Sequence, residues 1–588
     1  MRTMRFHYPI YSAPANCQDC YKCIRRCPVK AISVEKGHTT VVQDMCILCG
    51  RCVIHCPAFA KHPRNDTKRV KQLVLGHKKV FVSLAPSYIA EFSELTPGQL
   101  VIALRKLGFS GVSETALGID FVSAWLAADL QEASEKGTQK LFISSACPPV
   151  VAYIKRYAPR FSPYITRRAS PLLVHARLLR KHYGNDIGVV FIGPCIAKKQ
   201  EADQWTEIDA ALTFNELRTW FKDEGITCKT ILADTEAEFL PCRAVKSALF
   251  PINGSMITAL NKYSASWDKK LPPFSLAISG IDQIKETLED FDPESLTRPL
   301  FLDLISCEGG CINGPGTTHT GSGVMRLVKI LEYAETATAD SAETILNELP
   351  KDILSSDTLF VQDMTQIVHT EGELRSALRL VGKFTMEDEL NCSSCGYETC
   401  RDFAQAMLDN RAERTMCTSY MRQLAQKKAN GLIRTIPSGV VIADKNLKIV
   451  ECNQSFARLM GQDTEDMFEV APGLEGVDLR KITGSAHYFK DVLTADSSEG
   501  IECDIREGKK ILHIKVFVVE AGEIAAGVIE DITVPQIRRD ETISRAQKII
   551  DKNVVTVQKI AFLLGENAAE TESILYSIID SYTEGAGE

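Results

Sequence analysis

The stretch Leu300-Phe301-Leu302-Asp303-Leu304-Ile305-Ser306-Cys307-Glu308-Gly309-Gly310-Cys311 decides how the middle of the chain is read. Its first six residues, Leu300–Ile305, are almost all apolar and predict a short buried strand. That strand runs straight into two cysteines. The same arrangement occurs twice upstream. Lys140–Ile143 reads as a strand and leads into Ser144-Ser145-Ala146-Cys147-Pro148. Ile187–Ile192 leads into Gly193-Pro194-Cys195-Ile196-Ala197-Lys198-Lys199-Gln200-Glu201. Lys79–Leu84 reads as another strand, and Gly98–Leu107 and Pro171–His182 read as helices. Strands alternating with helices predict an α/β plan. In such sheets, ligands gather beyond the carboxyl ends of the strands. Four cysteines at three strand ends therefore predict a four-thiolate site. Gly309 and Gly310 are expected to let backbone pass close to a bulky cofactor.

Working outward, the N-terminal region is denser still in cysteine. Cys17, Cys20, Cys23 and Cys27 follow C-x2-C-x2-C-x3-C, with Pro28 next. Cys46, Cys49, Cys52 and Cys56 repeat the pattern 29 residues later, with Pro57 next. This is an internal repeat with the spacing of bacterial two-cluster ferredoxins, in which the fourth cysteine of each run serves the other cluster. One 4Fe–4S cluster is expected on Cys17, Cys20, Cys23 and Cys56, and a second on Cys46, Cys49, Cys52 and Cys27. The signal means electron transfer. The basic residues just after it (Lys61, Arg64, Lys68, Arg69, Lys71) read as a solvated linker over about 62–75.

Composition sets the bounds. At about 150 residues per domain, 588 residues predict roughly four domains. Apolar content of 45% and charged content of 24% exclude a disordered chain. A net charge of −7 gives no global case for nucleic-acid binding. No apolar run approaches the ~18–20 residues of a membrane span. The start, Met1 to Pro9, lacks the apolar core of a signal peptide, so the expected location is the cytoplasm. Clustered cysteines in a cytosolic chain point to metal rather than disulfides.

The three strand-end motifs resemble those of the FeFe hydrogenases, over roughly residues 78–380. That family carries Thr-Ser-Cys-Cys-Pro, Met-Pro-Cys-x-x-Lys-x-x-Glu and Glu-x-Met-x-Cys-x-Gly-Gly-Cys in this order. The resemblance implies an H-cluster: a 4Fe–4S cube joined to a two-iron site carrying CO, cyanide and a bridging dithiolate. By motif position Cys147, Cys195, Cys307 and Cys311 hold the cube, and Cys311 also bridges to the two-iron site. Lys198 falls where the family places a lysine that hydrogen-bonds cyanide, and an ammonium is a compact donor suited to that anion. Ala85-Pro86-Ser87 matches another family segment, placing Pro86 and Ser87 at the cofactor with the serine on a cyanide. Glu201 matches the second motif and is assigned to a proton path.

The departures carry equal weight. Ala146 stands where the family has the cysteine that relays protons to the dithiolate amine. A methyl group carries no proton, and losing a positioned acid–base group costs ~10²–10⁴ in rate. Gly193 and Ile305 replace the two motif methionines, and Asp303 replaces the motif glutamate. A retained cofactor scaffold with a cut proton route suits detection of hydrogen better than bulk turnover.

A fourth cysteine group, Cys392, Cys395, Cys400 and Cys417, is spaced C-x2-C-x4-C-x16-C and leads into a predicted helix, Phe403–Arg411. It resembles a small 4Fe–4S domain of several redox proteins, although four cysteines suit structural zinc as well. Cys228, Cys242, Cys452 and Cys503 have no ligand spacing. Further on, Gly439–Asn453 predicts a hairpin with its turn at Asp444–Asn446. Ile511–Val519 and Ile524–Ile532 alternate as strands. With Asn453 and Glu530-Asp531-Ile532-Thr533, this stretch resembles a PAS domain over about 430–534. After Pro535, Ile543, Ile550, Val557 and Leu564 recur every seven residues, with Ala546, Asn553 and Ile560 between them. That is a short heptad seam, open to parallel dimerisation, to a signalling surface or to packing on the chain's own PAS domain. Gly565 ends it, and Ile574, Leu575, Ile578 and Ile579 mark a second helix.

The expected fold is multidomain α/β and α+β. The domains are a ferredoxin-like two-cluster domain (1–62), an α/β hydrogenase H-cluster domain (78–380), a small 4Fe–4S domain (385–425), a PAS domain (430–534) and signalling or dimerisation helices (536–588). The resemblances imply a sensory FeFe hydrogenase with slow reversible H2 oxidation, reporting through PAS and helices. Its partners are H2 and protons, a ferredoxin-like or other redox partner, H-cluster maturation proteins and a downstream regulatory protein such as a kinase or phosphatase. A homodimer fits; direct nucleic-acid or membrane contact does not. Two alternatives stand: a metabolic ferredoxin-linked hydrogenase, and a non-catalytic iron–sulfur redox scaffold.

Overall fold

The 29-residue repeat of the N-terminal region is written into its backbone. Four short strands, β1 (Ile10–Ser12), β2 (Ile32–Glu35), β3 (His38–Val41) and β4 (Lys61–Pro63), form two antiparallel pairs, β1 with β4 and β2 with β3. Three residue pairs at the repeat offset share positive φ: Asp19 and Leu48 (53° and 59°), Tyr21 and Gly50 (52° and 76°), Lys30 and Phe59 (50° and 49°). The structure is a computed structural model. It describes residues 8–76, 79–136, 139–231, 237–244, 246–263, 273–318, 322–336, 361, 367–494, 500–507, 510–533, 547–562 and 571–575. The chain divides into two units between Glu413 and Arg414.

The linker expected to be solvated is instead ordered, with Lys61, Arg64, Asp66 and Val70 buried and Lys68 exposed. It consists of β4 and a helix, Thr67–Leu75. Lys61 is buried and donates to Ser12 Oγ (2.7 Å) and Thr39 O (2.6 Å). Arg64 pairs with Asp66 and, bidentately, with Asp203 (2.7 and 3.1 Å). Lys199, fully buried, ties Asp66 (3.0 Å) to Glu216 (2.8 Å) and donates to Ala211 O (2.8 Å). Lys61, Arg64, Arg69 and Lys71 have partners distant in sequence, which no local window reveals. Asp203 and Glu216 come from distant helices.

Among the described residues, the body of the first unit has seven strands: β5 (Val80–Leu84), β6 (Gly111–Glu114), β7 (Leu141–Ile143), β8 (Gly188–Gly193), β9 (Ala210–Thr213), β10 (Phe274–Ser279) and β11 (Leu300–Ile305). They form two parallel sheets, β6-β5-β8-β9 and β10-β11-β7. The three cysteine-bearing strands are thus shared between sheets: β8 lies in one, β7 and β11 in the other. β5, β8 and β11 are buried along their whole length, as expected for parallel strands covered on both faces. Helix starts are locally encoded. Thr96 and Gln99 form a capping box ahead of Pro97–Lys106, and Ser170 caps Pro171–Tyr183; each helix has proline in its first turn.

A buried histidine crosses the larger sheet. His175 meets Ser83 Oγ through Nδ1 and Ser113 Oγ through Nε2, both at 2.8 Å, and Ser83 Oγ lies 2.7 Å from Thr115 Oγ1. Burial pushes the His175 pKa from 6.5 down to about 3, so the folded state holds it neutral. Because this pKa is depressed on folding, its contribution is fully present above pH about 6.5 and is lost as pH falls towards about 3. Urea midpoints measured between pH 7 and pH 5 are expected to fall less steeply in His175→Gln than in the native chain. Equal slopes would refute this assignment.

The remainder of the first unit packs helices Glu371–Arg379 and Cys400–Leu408 through Leu374, Ala377, Leu378, Ala404 and Met407.

The second unit opens with the helix Thr418–Thr435. Five strands follow: β12 (Gly439–Asp444), β13 (Ile449–Cys452), β14 (Ile501–Glu507), β15 (Lys510–Glu520) and β16 (Ile524–Asp531). They form an antiparallel sheet in the order β13-β12-β16-β15-β14. Asp444 Oδ1 accepts from Asn446 N and Lys448 N, making the hairpin turn. Between sheet and helices the core holds Phe456, Leu479 and Phe489, with Phe489 seated against Gly527. Asn453 is fully buried and uses its whole amide. Oδ1 accepts from Val440 N and Phe456 N, and Nδ2 donates to Ile433 O, Ile436 O and Ser438 O. The incoming helix is thereby pinned to the sheet.

Of the predicted heptad positions, Ile543, Ala546 and Leu564 lie outside the described residues, as do Gly565, Ile578 and Ile579. The helical residues 547–562 place Val557 and Ile560 against Ile433, Ile436, Val440 and Ala526. Asn553 Nδ2 donates to Ser438 Oγ at 3.2 Å, and that hydroxyl donates to Glu530 Oε1 at 2.6 Å. Of the described seam positions, Val557 and Ile560 therefore pack on the chain's own five-stranded sheet.

Candidate functional site

Cys147 precedes the helix Pro148–Tyr157, Cys195 sits in the turn after β8, and Cys307 and Cys311 flank a three-residue loop after β11. All four line one cavity with about 890 Å³ of space not filled by protein atoms. Ser306 N–H points at Cys147 Sγ (3.5 Å). Burial pushes the Cys147 thiol up to about 12, and burial with the neighbouring thiolates raises Cys311 and Cys307 further. Four half-buried, desolvated sulfurs that resist ionisation form a site suited to a cationic centre, since coordination deprotonates a thiol outright. Gly310 has a different task from the one expected. A Cβ there would lie 2.2 Å from Pro251 O, so its close approach is to the chain's own backbone.

The rest of the wall is mainly apolar, which makes its polar groups informative. Pro86, Ser87, Ala146, Lys198 and Asp303 all line the cavity. Ser87 Oγ and Asp303 Oδ2 are buried without a hydrogen-bond partner among the described residues. Such orphans are costly in a closed fold and fit a polar group held in the cavity. Lys198 Nζ pairs with Glu201 Oε2 at 2.5 Å, and Glu201 also contacts Ser170 Oγ. Glu201 thus meets the cavity through Lys198. Asp303 was named in the sequence only as a departure from the motif. It is about 1% exposed, and burial pushes its carboxyl up to about 7. A charge in the middle of an otherwise apolar strand was the available signal.

The N-terminal cysteines reach this site. Cys49 lines the same cavity, and a Cβ on Gly50 would fall 2.4 Å from Pro315, itself on the cavity wall. Backbone N–H groups aim at sulfur at equivalent positions: Ala31 N on Cys27 (3.3 Å), Ala60 N on Cys56 (3.1 Å). Cys46, Cys49 and Cys52 are desolvated thiols, the first two pushed up to about 12 by burial. Cys17 and Cys23 flank Thr39 Oγ1 (3.5 and 3.6 Å). In the small domain, Cys392 is exposed, Cys395 half-buried and Cys400 buried. Cys417 is the N-cap residue of the helix that opens the second unit.

Comparison with known proteins shows which families these segments resemble. Residues 78–315 match the family described as iron only hydrogenase large subunit, C-terminal domain. Residues 9–57 match a 4Fe-4S dicluster domain, 388–419 a putative Fe-S cluster family that spans all four cysteines of that group, and 428–488 a PAS domain. The chain therefore joins an iron-only hydrogenase-type domain, a ferredoxin-like dicluster domain, a small Fe–S domain and a PAS domain. Iron hydrogenase 1 of Clostridium pasteurianum is 26% identical over 374 residues, 48% of this chain and 65% of that protein, so the match spans less than two thirds of its length. The periplasmic Fe hydrogenase large subunit of Nitratidesulfovibrio vulgaris is 27% identical over 51% of this chain and 84% of its own. The cytosolic Fe-S cluster assembly factor NAR1 of Yarrowia lipolytica is 28% identical over 27% of this chain and 36% of its own. No helix among the described residues is long and apolar enough to cross a membrane.

Proposed function

We propose that this protein is a sensory FeFe hydrogenase that converts H2 reversibly, and slowly, into two protons and two electrons. The observation that carries this reading is one cavity lined by four half-buried cysteines from two sheets, with orphaned Ser87 and Asp303 and a methyl at Ala146. Cys147, Cys195, Cys307 and Cys311 hold the cube of an H-cluster. The two-iron group, when bound, supplies the interconversion of H2 with protons and electrons.

The chain's own residues set the conditions. The apolar wall excludes water. Ser87 Oγ and the Lys198 ammonium present hydrogen-bond donors to anionic ligands, and Glu201 fixes the Lys198 side chain. Ala146 offers no acid at the position of the relay, so protons cross the wall slowly. Cys46, Cys49, Cys52 and Cys27 hold the cluster beside the cavity, and Cys17, Cys20, Cys23 and Cys56 hold the next. Cys392, Cys395, Cys400 and Cys417 hold a further one. The PAS domain and its helix then pass the state to a regulatory protein in the cytoplasm, while a redox partner exchanges electrons and maturation proteins insert the two-iron group.

Similarity to an Fe-S cluster assembly factor favours a second reading, a redox scaffold that never holds the two-iron group. Infrared spectra of anaerobically matured protein under argon and then H2 separate the two. CO and cyanide stretches that shift with H2 are expected. Their absence, with full iron loading and a positive maturation control, would establish the scaffold.

A further inference from the structure

Arg25 stands at a junction between two cysteine groups that are far apart in sequence. It follows Cys23 in the first N-terminal run. Its Nη2 donates to Cys20 O at 2.8 Å, and its Nη1 donates to Ser394 O at 3.4 Å, in the loop between Cys392 and Cys395. Its charge lies in the field of Cys20 and Cys23 on one side and Cys395 on the other.

The surroundings show a built interface rather than a chance touch. Gly396 has φ +91°, and a Cβ there would fall 2.9 Å from Ile24 Cγ2 and 3.2 Å from Arg25 N. Val34 N donates to Arg411 O (3.0 Å), and Arg411 Nη1 donates to Lys30 O (3.2 Å). Glu413 accepts from Lys36 N and Gly37 N, at 2.5 and 3.3 Å. Asp409 then holds Arg411 from behind at 2.7 Å. The small domain is thus fastened to the segment just after the first cysteine run, Lys30–Gly37, by bonds to its backbone, and Arg25 adds a bond from within the run itself.

We propose that Arg25 is a shared positive charge that couples the cluster of the Cys392 group to the cluster on Cys17, Cys20 and Cys23, so that the two exchange electrons directly. In that exchange one electron leaves one cluster and enters the other, and no atom or proton moves with it. Each reduction adds one negative charge beside the same guanidinium. A neighbouring cation stabilises the reduced form and raises the reduction potential. Arg25 therefore biases both groups in the same direction. Together with Cys49 on the cavity wall, this arrangement strings the cysteine groups in order from the small domain to the cavity. The inference goes beyond the proposed function. It requires iron–sulfur clusters at both groups but not the two-iron group.

The test uses the full chain reconstituted with iron and sulfide, without maturation. Redox titration followed by electron paramagnetic resonance reads both the potentials and any magnetic interaction. Cys395→Ser identifies the small domain's signal by deleting it, and the neighbouring cluster's signal is expected to lose its interaction broadening. Arg25→Gln, at an exposed position, is expected to keep the iron content and lower both potentials, and Arg25→Lys to restore them in part. A shift confined to one cluster, unchanged broadening in Cys395→Ser, or no iron at the Cys392 group would each overturn the proposal. Absence of the infrared bands described above would leave this result untouched, so failure of the hydrogenase reading is told apart from failure of this one.

Discussion

Ala146→Cys is expected to raise the rate of H2 turnover by ~10²–10⁴, the range associated with regaining a positioned acid–base group. Ala146 lines the cavity next to Cys147, and its N–H donates to Ser144 Oγ at 3.3 Å. A thiol added at this Cβ enters existing space rather than displacing packed core. The scaffold around it is unchanged, so the infrared bands should keep their positions while the rate rises. Ala146→Ser is the informative control, since a hydroxyl is a far weaker acid and should recover little. A native protein that already turns over fast, or a fully loaded Ala146→Cys that gains less than ~10-fold, would sink the cut-relay account.

Lys199→Met is expected to cost about 3–5 kcal/mol of stability, the range for removing one partner from a buried ion pair. Lys199 is fully buried, and it holds the carboxylates of Asp66 and Glu216 at 3.0 and 2.8 Å. Without the ammonium, Glu216 loses its only basic partner described in this cluster, while Asp66 retains Arg64. Urea unfolding of the first unit checks the size of the loss. Adding Glu216→Gln should return much of it, because the penalty comes from a stranded charge rather than from lost volume. A loss under ~1 kcal/mol would mean that the pair behaves as a solvated surface contact.

Lys198 and Lys199 show what a sequence can and cannot disclose. Neighbours on a helix point in different directions: Lys198 lines the cavity and Lys199 is buried in the core. Only motif position singled out the first. The cysteine groups were legible because the geometry of cluster ligation fixes their local spacing, and the strands before them because parallel strands read as apolar runs. The ordered segment of 61–75 was not legible, since Arg64 finds Asp203 across 139 positions. Nor was the division of β7, β8 and β11 between two sheets, because strand periodicity carries no information on which strands pair.

The node at Ser438 has a consequence for anyone moving the PAS module into another protein. Sequence resemblance alone suggests cutting at about 430 and 534. A fusion ending there discards the helix at 547–562, uncovers part of Val440 and Ala526, and removes Asn553 from Ser438. Such a chimera is expected to be sticky and poorly soluble even though every strand of its sheet is intact. The piece to move runs from Thr418 through residue 562, so that the sheet and the helix that covers it travel together.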